Sequence, residues 1–221
     1  MTNRKEPTAL STMVRVSLLL FLVQAARWLL TGWLCGAAHG NAVLERVTGI
    51  LSLVTIGSLL LVLARYARVH LSVFPAFTSN KDRILYISAS AAVLLILLAA
   101  PVKAGDYSPA PLLGFVYAAV MLPIFEELLF RGYVWGRLHA RFTPELTVCM
   151  ISAVLFAVWK AGYTDALLAN TALSTADIVM TVLTNMALAL MVGLITGLAR
   201  LITKNCVPGM LIHIVLAVVL Y

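Results

Sequence analysis

A chain of 221 residues that is 62% hydrophobic and 11% charged has too little polar surface to face water on every side. Soluble domains carry about 25% charged residues. The mean hydropathy of +1.00 and formal charge of +7 fit an integral membrane protein whose basic residues orient helices and meet anionic headgroups, and they point away from a nucleic-acid binder.

Met1 to Thr12 is short and polar. The apolar run after it is too long for a cleaved signal segment, so the first helix is expected to be retained. A spanning helix needs about 20 mostly apolar residues. Seven stretches meet that requirement, at roughly 12–36, 47–66, 84–102, 111–136, 145–163, 177–200 and 206–221. The expected fold is all-α: one membrane domain over 1–221, a polytopic bundle of about seven spanning helices, with eight as the alternative. His70 to Thr78, semi-apolar and containing Pro75, reads as a short interfacial or re-entrant piece.

Lys and Arg in the gaps set the expected orientation. Arg4, Lys5, Arg65, Arg68, Lys81, Arg83, Arg137, Arg141, Arg200 and Lys204 fall on one side, and only Arg46 and Lys103 on the other. That bias puts the N-terminus in the cytoplasm and the C-terminus outside, in a cell (inner) membrane. The gap with Asp165, Asn170, Ser174 and Asp177 carries no Lys or Arg and reads as an outer loop. Gly193 and Gly197 form a small-xxx-small spacing that permits close helix contact. Cys35, Cys149 and Cys206 lie scattered in apolar sequence and read as small buried hydrophobes. His39, His70, His139 and His213 are dispersed and no HExxH occurs, so no metal or cofactor is implied.

The costly residues are Glu126 and Glu127, adjacent in the fourth span. Arg131 stands four residues after Glu127, on the same helix face, so those two are expected to pair. Glu126 points elsewhere and has no partner in its own helix. A carboxyl buried alone holds its proton more readily, toward the range useful to a general base. Glu126 is therefore the candidate base and Glu127 its support; the competing reading is an ion-paired helix end near the headgroups. His213, in the last span, is either a hydrogen-bonded core residue or a proton shuttle or oxyanion donor. Lys160 either snorkels to the interface or turns inward to pair with a glutamate. Asn185 is a further inward candidate, and Arg27 in the first span is unexplained.

Glu126-Glu127-Leu128-Leu129-Phe130-Arg131 resembles the EExxxR motif of the CAAX-protease and bacteriocin-processing family (CPBP or Abi intramembrane proteases), and Gly132 to Leu138 continues in the family's manner. Phe156-Ala157-Val158-Trp159-Lys160 is in register with its FxxxH motif, with Lys160 in place of the histidine. His213 matches the start of HxxxN, with Ala217 in place of the asparagine. The resemblance covers roughly 111–221, a CPBP-like catalytic core. It implies a helical intramembrane endopeptidase in which Glu126, framed by Glu127 and Arg131, activates water and His213 donates to the oxyanion. Cleavage of a peptide or C-terminal tag is expected near the cytoplasmic leaflet. The implied partners are membrane lipid and a peptide or protein substrate, lipidated or C-terminally tagged. Two alternatives stand beside it. One is an inactive family member acting as a partner-binding or immunity protein. The other is a small transporter with Glu, Lys and His along an ion path, which lacks a detectable repeat pair.

Overall fold

In a computed structural model, residues 8–37, 40–73, 79–105, 107–163 and 174–220 are described. Arg4, Lys5, His39, Pro75, Asp165 and Asn170 lie outside the described residues, as does the side chain of Cys35. The described chain forms seven helices: α1 Ala9–Ala37, α2 Ala42–Tyr66, α3 Asn80–Ala104, α4 Pro109–His139, α5 Glu145–Ala161, α6 Thr175–Thr203 and α7 Val207–Leu220. No strand occurs among the described residues.

Helix starts are written in the sequence. Asn41 and Ser79 accept from the backbone N–H groups of Leu44 and Asp82 to cap α2 and α3. Ser174 and Asp177 cap α6 reciprocally, each side chain bonding the other's backbone N–H.

Five helices are long and apolar enough to cross a bilayer: α1, α2, α3, α4 and α6. The helices at the expected spans 145–163 and 206–221 cover Glu145–Ala161 and Val207–Leu220 and are too short to be counted among those five. α5 has 17 residues and α7 has 14, or about 26 and 21 Å of rise against a hydrocarbon core of about 30 Å. A turn at Gly162–Tyr163 ends α5 early. Each short helix has a packed face, while Leu146, Met150, Val154 and Val158 form an exposed stripe along α5. α5 runs against α6, and α7 folds back beside α6.

α4 departs from regular helix twice. Turns widened to i→i+5 bonding occupy Val116–Met121 and Leu128–Val134, on either side of the glutamates. Pro123 accounts for the first: it lacks an N–H and its ring crowds the carbonyl one turn back. The second includes Gly132.

Glycines set the closest approaches. A Cβ on Gly197 would come within 2.7 Å of Cys149 Sγ, and one on Gly193 within 3.2 Å of Ala153 and Phe156, so the small-xxx-small pair is where α6 meets α5. On α4, Gly132 and Gly136 admit the segment 69–72, with Leu71 and Val69 resting on them. The apolar core lies among α4, α5, α1 and α2, around Leu129, Phe130, Val134, Leu138, Val148 and Phe156.

Candidate active site

Glu126 and Glu127 lie on the central turn of α4, and both are 0% exposed, as is Arg131. They face different partners. Lys160, near the C-terminal end of α5, turns inward and grips Glu126 with Nζ 2.7 Å from Oε1 and 2.8 Å from Oε2. Trp159 Nε1 donates to the same Oε1 at 3.3 Å. As expected, Glu126 has no partner in its own helix; its partner is Lys160 of α5, the inward alternative for that lysine.

Glu127 has Arg131 Nε 3.3 Å from Oε2, the expected pair. The two groups are within ion-pair reach without hydrogen-bond alignment, so Oε2 and Nε keep no hydrogen-bond partner among the described residues. Arg131 instead donates from Nη2 to the Gly193 carbonyl at 2.6 Å, and its guanidinium lies 5.0 Å from the Phe156 ring centroid. The other oxygen of Glu127 meets His213, Nδ1 to Oε1 at 3.1 Å.

His213 joins the two halves. Its Nε2 stands 3.7 Å from Glu126 Oε2. That is too long for a hydrogen bond, but one water molecule can reach both atoms at about 2.8 Å. Phe156 holds the ring edge-on at 5.7 Å between centroids. The series Arg131, Glu127, His213, Glu126, Lys160 balances two carboxylates against two fixed cations, the condition under which charges are tolerated in a low-dielectric interior.

Glu126, Lys160 and His213 line one cavity of about 440 Å³. Asn185, Tyr163 and Ala217 line it too, so Asn185 faces the site and position 217 presents a methyl group there. Arg27 lies behind it: Nη2 donates to the Gly162 carbonyl at 2.8 Å, and the guanidinium sits 4.3 Å from the Tyr163 ring centroid. It braces the turn that ends α5.

Three contributors escape a reading of motifs. Trp159 adjoins Lys160 in the second motif, yet nothing in its position says that its indole N–H reaches Glu126. Tyr163 lies one turn beyond, with Lys160 Nζ 5.0 Å from its ring centroid. Gly209 is subtler. A Cβ there would fall 2.9 Å from Glu127 Oε2, so glycine lets the first turn of α7 close over the carboxylate. The Pro208-Gly209 pair at a helix start was the available signal.

A family model described as Type II CAAX prenyl endopeptidase Rce1-like matches residues 108–219, from the start of α4 almost to the end of α7. No curated protein and no solved structure matches the chain.

Proposed function

Because the chain belongs to the Rce1-like Type II CAAX prenyl endopeptidase family, and at that level is a multi-pass membrane endopeptidase, we propose that Glu126 activates the water that cuts a peptide inside the bilayer. The observation that carries this reading is the meeting of Glu126, Lys160 and His213 on one cavity. Water between Glu126 Oε2 and His213 Nε2 gives a proton to Glu126 as its oxygen attacks the scissile carbonyl carbon. When the C–N bond breaks, that proton passes to the leaving amine. Glu127 accepts from Nδ1–H of His213 and leaves Nε2 facing the cavity; protonated there, it donates to the oxyanion. Lys160 holds both oxygens of Glu126 in place. An ammonium has three donor hydrogens, so after two bonds to Glu126 one remains for the carbonyl oxygen. Arg131 and Glu127 frame the imidazole and take no proton.

The substrate proposed is a protein tail, lipidated or C-terminally tagged, held in the same membrane. The basic end of the bundle, with Arg137, Arg141, Arg200 and Lys204, is proposed to face the cytoplasm, with the C-terminus outside. Glu126 stands about 20 Å along α4 from His139 at that end. This depth argues for cleavage near the bilayer midplane rather than at the cytoplasmic leaflet surface.

A second reading has its own support: Lys160 occupies both oxygens of Glu126, which suits a bundle that binds a partner without turnover. Comparing protein C-termini in cells expressing the wild type or Glu126→Gln separates the two. Shortened C-termini that vanish with Glu126→Gln support the enzyme. Identical C-termini in both, with the protein present at equal level, support the partner-binding reading.

A further inference from the structure

A second cavity, of about 450 Å³, lies at the opposite end of α4 from its Pro109 start and shares no lining residue with the first. Four basic side chains reach it, Arg68, Arg137, Arg200 and Lys204, with His70 and His139 beside them. The sole carboxylate among its lining residues, Glu145, is already paired with Lys204. Arg68, Arg137 and Arg200 therefore have no carboxylate within ion-pair distance among the described residues. Arg200 is 9% exposed. It is fixed by Nε on the Arg131 carbonyl at 3.3 Å and by Nη2 on Ser72 Oγ at 2.9 Å, and its Nη1 has no acceptor among the described residues. Trp135 and Val69 add apolar wall.

The backbone supplies an independent observation. Arg68, Ser72 and Lys204 adopt left-handed conformations, with φ of 54°, 50° and 55°, and they are the non-glycine residues with positive φ among those described. All three line this cavity. Glycine would suit the left-handed position after α2 better; there the N–H groups of Arg68 and Val69 bond the carbonyls of Arg65 and Ala64. Strained residues persist where the surroundings hold them and concentrate at binding sites. Here the 67–72 segment is pinned by Cys206, whose backbone N–H donates to the Ser72 carbonyl at 3.2 Å and whose Sγ reaches the Leu71 carbonyl at 3.1 Å. Basic residues at a helix C-terminus also complement its dipole, but that role does not require three arginines to line one cavity.

We propose that this cavity binds a phosphate-bearing anion, with Arg68, Arg137 and Arg200 as its donors. The chemistry is shared by an anionic phospholipid headgroup and a free phosphate. Guanidinium groups suit either, since each presents paired N–H donors to the oxygens. The cavity stands at the basic end of the bundle, level with the headgroups that such an end meets.

The test uses the full chain in neutral detergent. Its melting temperature is followed while inorganic phosphate, or phosphatidylglycerol against a phosphatidylcholine control, is titrated in. The wild type should be stabilised saturably by at least one of the two, and the choice identifies the source. In Arg68→Gly/Arg137→Gln the apparent affinity should fall by about tenfold or more, equivalent to ~1.4 kcal/mol, while the melting temperature without anion is retained because glycine relieves the left-handed strain. Arg137→Gln alone, at a half-buried position, serves should the pair not fold. No stabilisation of the wild type by either probe, or equal stabilisation of the variants, overturns the proposal.

Discussion

Glu127 and Arg131 together form the most demanding element of the site, because both are fully buried. Arg131→Ala removes the cation beside Glu127 and the donor to Gly193, leaving an uncompensated carboxylate. The expected loss is about 3–5 kcal/mol, the range for a broken buried pair, read as a fall in melting temperature in detergent. Lys160→Ala should cost less, because Lys160 is 21% exposed and water can replace it. Position 217 makes a sharper prediction. Ala217 lines the cavity four residues after His213, so Ala217→Asn adds an amide where an oxyanion would form. One such donor is worth about a hundredfold or more where it is native, and the variant should raise the rate of peptide cleavage by up to about that factor. Unchanged cleavage would mean that position 217 lies outside the oxyanion's reach.

The α5–α6 contact is set by small residues, and it fixes where Lys160 and Phe156 stand relative to Arg131. Gly197→Leu would drive a side chain into Cys149. Overpacking of this kind costs about 1–3 kcal/mol, and Cys149→Ala should restore part of it. Thermal unfolding of the two single variants and the double variant measures the coupling. This element was legible beforehand: Gly193 and Gly197 lie four apart, and that spacing alone announces a close helix contact. Other elements were not. The widened turns of α4 follow from Pro123 and from packing that no local pattern records. The bounds of α5 and α7 were legible to within two residues, but apolar composition does not say which of their faces the neighbouring helices cover. The inward turn of Lys160 was likewise open, since a lysine near a helix end is equally compatible with the interface. Its choice of Glu126 depends on how α5 crosses α4, which is a tertiary fact.

At the scale of the whole molecule, hydropathy and the Lys/Arg bias carried the class of fold, and one motif on α4 carried the family. The site is drawn from four helices separated by long stretches of chain, so only the glutamates with Arg131 were readable as a unit; His213 and Asn185 acquire meaning when α6 and α7 close on α4. Orientation is tested by single cysteines in a background with Cys35, Cys149 and Cys206 replaced by serine. Thr143→Cys, in the turn between α4 and α5, should label from the cytoplasm, and Ser174→Cys, the cap of α6, from outside; the reverse pattern would invert the bundle. The central claim concerns one carboxylate in a cavity open to a peptide, and the direct measurement is the cleavage rate of CAAX-type peptides by the purified protein in nanodiscs. Glu126→Gln keeps the size of the side chain and removes the base, so the rate should drop by about a hundredfold or more, the contribution typical of positioned general bases, with no comparable loss of stability. Cleavage at the wild-type rate by Glu126→Gln would contradict the account.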